Sequence, residues 1–198
     1  MSYSKKTLAN LQQSLADKIS AGVVPTSSAK ISYWNRMLNE GQSYCADRLR
    51  LSKSTSLTTA SGTIALPTDF LSVVDVINAS GLKLTQIKKE DSENTSSGVF
   101  WITGNHFDGW YLNSNVDETY TVWYVFKPSE MSATSDLCII PDPVAVVCYA
   151  YAKLRMAQTD PLEDADKEMA ECDRRLDEVI GDNSVNDGGQ TFKLMQNA

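Results

Sequence analysis

Apolar residues open the chain at three- and four-residue steps: Leu8, Leu11, Leu15 and Ile19. That spacing predicts a helix with one buried stripe. "AGVVPTSS" interrupts it with Gly22 and Pro25, after which Ser27 or Ser28 can cap a second helix. The second stripe is Ile31, Trp34, Leu38, Cys45 and Leu49, with Gly41 breaking the apolar pattern. Lys30, Arg36, Asp47, Arg48 and Arg50 occupy the other face.

From about Ser54 to Lys127 the period drops to two, the alternation of strands. "TIALPTDFLSVVDV" holds Pro67 and Asp69 in an otherwise apolar run. Pro67 cannot donate to a ladder and keeps Leu66 extended, so the stretch reads as strand, corner, strand. Asp69 is placed to cap the turn's N–H groups. "NASG" (Asn78–Gly81) predicts a hairpin turn, and "KKEDSENTSSG" a polar loop. "VFWITGNHFDGWYL" carries turn signals between aromatic strands. In "ETYTVWYVF" both faces are large, which predicts a central strand.

Helical spacing returns with Asp142 as cap and Pro143 as first helical residue. Val144, Val147, Cys148, Tyr151 and Leu154 form the third stripe. In the fourth, Asp160 is the cap and Leu162, Ala165, Met169, Cys172, Leu176 and Val179 step by three and four up to Gly181. Its polar face is acidic: Asp164, Asp166, Glu171, Asp173, Asp177 and Glu178. The pattern predicts an α+β protein: a four-helix bundle with an inserted small antiparallel β domain and an extended C-terminal tail. Residues 1–53 and 142–181 would make the discontinuous bundle. Residues 54–141 would make the β insertion and its return linker, and 182–198 the tail. Gly188 and Gly189 would hinge an apolar end, "TFKLM".

Net charge narrows the functions open to such a chain. At −7, its 198 residues lack the clustered Lys and Arg that phosphate contacts need. No run approaches the ~18–20 apolar residues of a membrane span, and the first residues hold no apolar signal core. Cys45, Cys138, Cys148 and Cys172 form no C-x-x-C pair and only His106 could join them, so no metal site or cofactor is expected. They read as buried thiols in a reducing compartment. His106 lies near Asp108, half of a hydrolytic triad. No G-x-S-x-G elbow accompanies the pair, and a solvated hairpin tip accounts for it better. The fourth helix's carboxylates read as a solvated face, since no E-x-x-H accompanies them. Trp101, Phe107, Trp110, Tyr111, Trp123 and Tyr124 could form a sugar platform, but aromatic strand residues are first of all sheet core. The residues give no enzyme and point to an assembly component.

The order of segments resembles the head-to-tail adaptor (connector) proteins of tailed bacteriophages. The likeness is carried by "LANLQQSLADKI", "YWNRMLNEGQSYCADRL", "LPTDFLSVVDV", "FWITGNHFDGWYL", "YTVWYVFKPSEMSATSD" and "IPDPVAVVCYAYAKLRMAQTD", in that order, over residues 4–181. Met131 and Trp101 stand where that family often has leucine and tyrosine. The resemblance implies a structural virion protein at the head–tail interface. It would be a homo-oligomeric ring, a dodecamer, between the portal protein and a downstream tail or nozzle protein. DNA would pass through its channel without specific binding. It also implies that the tail reaches the portal. Phe192, Leu194 and Met195 are then the expected portal contacts, with Gly188 and Gly189 as hinge. A head-completion stopper or tail-tube terminator is the alternative, followed by a soluble carbohydrate-binding or enzymatic module.

Overall fold

A computed structural model describes residues 5–19, 22–94, 98–157 and 162–187. Its elements run α1 (Leu8–Ile19), α2 (Ser28–Leu49), β1 (Ser52–Thr58), β2 (Thr63–Ala65), β3 (Phe70–Ile77), β4 (Thr85–Gln86), β5 (Val99–Asn105), β6 (Gly109–Ser114), β7 (Thr119–Phe126), α3 (Pro143–Met156) and α4 (Leu162–Asp187), with a 3-10 turn at Lys89–Asn94. Two compact units result, dividing at Arg50/Leu51 and at Lys127/Pro128.

The helical unit is not the expected four-helix bundle. In such a bundle each helix buries one stripe and turns its other face to water. Helix α3 instead buries residues all round, including Ala145, Val146, Val147, Cys148, Ala150 and Ala152, and α1, α2 and α4 all pack on it. A helix that is apolar all round belongs at the centre, not at a corner. A non-helical segment fills a further part of this core. Met131, Cys138 and Ile140 are buried, and two side chains of α2 hold the backbone there. Asn39 donates to the Met131 carbonyl (3.0 Å) and accepts from its N–H (2.8 Å). Gln42 donates to the Ser129 carbonyl (3.0 Å) and accepts from the Ile139 N–H (3.1 Å). Gly41 lies where α2 crosses α3, and a Cβ there would come within 2.9 Å of the Val146 carbonyl oxygen. The break in the apolar pattern is thus a close helix crossing.

Asp142 caps α3 as expected, accepting from the Val144 N–H at 3.0 Å. Gly181 does not end α4, which runs on to Asp187. The expected extended tail therefore cannot begin at 182, because Gly181 does not take the left-handed conformation that terminates helices. The expected cap Asp160 and the tail residues Gly188, Gly189, Phe192, Leu194 and Met195 lie outside the described residues.

The β unit holds two sheets, ordered β1-β7-β3 and β2-β6-β5-β4. The second is mixed rather than antiparallel, since β4 pairs parallel with β5. Strand β7 is central, as its two large faces predict. At the Pro67 corner the chain leaves the second sheet and enters the first. The Leu66 N–H still bonds the Trp110 carbonyl at 2.8 Å, and the Phe70 N–H closes the turn on the Pro67 carbonyl at 3.0 Å. Asp69 does not serve the turn. Its carboxylate accepts from the Tyr124 hydroxyl at 3.2 Å and pairs with Lys53 at 2.7 Å, tying the corner to β7 and β1.

Candidate functional site: exposed surfaces and their supports

The groups singled out for chemistry do not converge. His106 sits at an exposed tip with its ring edge-on to Trp110, 5.5 Å between centroids. Asp108 is held by Asn105, whose side-chain N–H donates to it at 2.7 Å. No cluster of metal-ligating side chains occurs among the described residues. No helix among them is long and apolar enough to cross a membrane. All four cysteines are buried and free. Cys45 on α2 and Cys172 on α4 share a hydrogen bond, which with burial raises the Cys45 thiol's pKa well above its ordinary value. Burial also pushes Cys138 up to about 11 and Cys148 up to about 12. Thiols held protonated are poor nucleophiles.

The acidic face of α4 is largely neutralised. Glu171 is bridged by Arg174 and Arg175, each at 2.7 Å. Hydrogen bonding to Arg174, and then the charges of both arginines, lower its pKa to about 2. Arg174 also pairs with Glu178. Arg48 reaches across from α2 to Asp173 (3.8 Å) and Asp177 (3.4 Å). Arg175 continues to the buried Asp142 carboxylate at 2.8 Å, linking α4 to the cap of α3. The Tyr44 hydroxyl donates to Asp173 at 2.7 Å, and burial followed by that carboxylate pushes its pKa up to about 12. Of the acids read from sequence as a solvated face, Asp173 and Asp177 are therefore ties between α4 and α2, while Glu171 and Glu178 are paired along α4 itself.

Among the apolar features exposed on the described residues, two stand out. One is the β5–β6 tip. Asn105 accepts from the Phe107 N–H (2.7 Å) and the Asp108 N–H (3.0 Å), and the Tyr111 hydroxyl donates to the Asp108 carbonyl (3.3 Å). Gly104 (φ +111°) and Gly109 (φ +90°) face each other so closely that a Cβ on Gly104 would collide with the Gly109 carbonyl oxygen. This bracing presents Phe107 at 99% exposure. Sheet core therefore fails for Phe107 and for Tyr111, which is also exposed, while Tyr124 is buried as expected and Trp101, Trp110 and Trp123 are half-buried. The signal was in the sequence: "GNHFDG" places Phe107 inside the turn, where no strand face can cover it. The other feature is a groove of about 610 Å³ in the helical unit, lined by Ile19, Val23, Pro25, Ala29, Tyr33 and Leu154 among others. The alternation of strands and helical stripes carries no signal for it, since it forms where three elements end.

Buried thiols, paired acids on α4 and preformed apolar surface suit an assembly component. The family comparison gives that class a name. The chain matches the SU10 adaptor protein family over residues 6–192 and belongs to it, a family of phage head–tail adaptors. It is thereby a structural adaptor of the phage virion. No curated protein matches it.

Proposed function

We propose that the protein forms a ring between the capsid portal and the tail, twelve copies surrounding the conduit through which DNA leaves the head. The observation that carries this reading is the family match across nearly the whole chain. The net charge of −7 supports it, because a conduit wall should let phosphate pass rather than hold it. Phe192, Leu194 and Met195 contact the portal, and Gly188 and Gly189 let them reach it. An apolar end behind a two-glycine joint suits docking by a few large anchors. A downstream tail or nozzle protein binds the opposite side.

Negative-stain images of the purified chain with and without its portal test the ring. Rings of twelve capping the portal are expected, and isolated monomers at every ratio would overturn the reading. Because α4 continues to Asp187, truncation after Asp187 isolates the tail. The truncated chain should lose portal capping, and Phe192→Ala should weaken it more than Lys193→Ala. Neither substitution should change the melting of the helical unit.

A further inference from the structure

The two most exposed large apolar side chains among the described residues are Phe107, at 99%, and Val23, at 67%. They have opposite shapes. Phe107 is a knob on a braced hairpin tip, and Val23 stands on the wall of the 610 Å³ groove. We infer that the Phe107 tip of one copy seats in the Val23 groove of the next copy, as the contact that links neighbours around the ring. This rests on the ring reading above and specifies its interface.

Charge on the two surfaces agrees with this pairing. Among the described residues lining the groove, Lys30 is the one charged residue, and it is exposed. The exposed Asp108 directly follows the knob. A ring carrying Phe107 into the groove would place Asp108 beside Lys30, where opposite charge sets register and orientation. Tyr33 and Trp34 add aromatic rings to the wall, the Tyr33 ring with the Arg36 guanidinium 5.0 Å from its centroid. The tip also loses little order on docking. Asn105 already fixes the backbone at Phe107 and Asp108, so the entropy of arranging the loop is spent in folding rather than in association.

Knob and groove are different surfaces of one chain, so their contact is heterologous, the type that generates rings when the rotation closes. One aromatic side chain is too small a contact to hold two copies alone. Closure changes this, because the last contacts are made within one particle and add to those already formed. The chain should therefore stay dispersed until the portal gathers copies.

Separate His106→Cys and Ala29→Cys chains, both keeping Phe107, mixed with portal and treated with a short bis-maleimide, test the inference. The native cysteines are all buried, which keeps background low. The expected product joins position 106 of one chain to position 29 of another, identified by peptide mass. In parallel, Phe107→Ala should raise the concentration needed for ring assembly roughly 10- to 100-fold, the range for losing one buried aromatic side chain. Its melting should not change, since the side chain touches water on all sides in the free chain. Lys30→Glu should weaken assembly by a smaller factor. Cross-linking of position 106 to the portal or to a tail protein, or rings that form normally with Phe107→Ala, would overturn the knob-and-groove contact and leave the ring reading standing. Absence of rings from the unmodified chain would overturn both.

Discussion

Gln42 illustrates how one polar side chain can hold a core together. It is 2% exposed, and both ends of its amide are engaged, by the Ser129 carbonyl and the Ile139 N–H. One helical turn earlier Asn39 does the same for Met131. The segment between β7 and α3 has no ladder of its own there, so these amides take the ladder's place. Replacing Gln42 by leucine keeps the volume but takes its partner from the N–H of the half-buried Ile139, at about 1–3 kcal/mol, while the carbonyl of the exposed Ser129 can turn to water. Gln42→Leu should lower stability by about 1–3 kcal/mol in urea unfolding, and Gln42→Glu should lose at least as much at pH 7, because it buries a carboxylate facing the Ser129 carbonyl. Equal stability of Gln42→Leu and the parent would show that the amide carries no structural load. The sequence displays Gln42 only as a polar residue beside a stripe. Its partners lie 87 and 97 positions away, and no local spacing could reveal them.

At the scale of an element, α4 depends on pairing as much as on its apolar stripe. Ala165, Cys172, Leu176 and Val179 are buried as their spacing predicts, and Met169 is half-buried. Glu171, held by Arg174 and Arg175, makes the helix sensitive to acid. Its folded pKa of about 2 lies below the ordinary value of 4.5, so its contribution to stability is complete above that ordinary value. It is lost as pH falls from about 4.5 towards 2. The carboxylate is partly exposed, and solvent screening limits the effect to about 0.5–1 kcal/mol. Glu171→Gln should therefore lower the melting temperature by a few degrees at pH 7. The gap between variant and parent should close as pH drops through that window. A gap that widened towards pH 2 would reject this assignment.

For the whole molecule, the decisive feature is a chain that leaves one unit and returns to it. Ser52 pairs with Val125, and the Phe126 N–H reaches the Leu51 carbonyl at 3.3 Å, so the excursion begins and ends at one place. Every strand pairing of Leu51–Lys127 is internal to that stretch. The excised segment 51–127 should fold alone, with a strand-type circular dichroism spectrum and a single cooperative transition. Unfolding without cooperativity would show that the β unit depends on the helices for its order.

Element type was determined by the sequence alone, because it is set by local period. Steps of three and four placed α1 to α4, and alternation with turn residues placed the strands and the Pro67 corner. The order of those segments was enough to point to the adaptor family. What the helices did together was decided only by tertiary structure. Similar stripes suggested four equal partners, but α3 is buried over most of its surface and the return segment takes a share of the core. The same holds for charge. Glu171, Asp173, Asp177 and Glu178 read as a solvated acidic face, yet their meaning depends on Arg48 from another helix and on which arginine rotamers reach them. Period records which residues want to leave water. It does not record which neighbour they will meet when they do, since that is settled by packing between segments far apart in the chain.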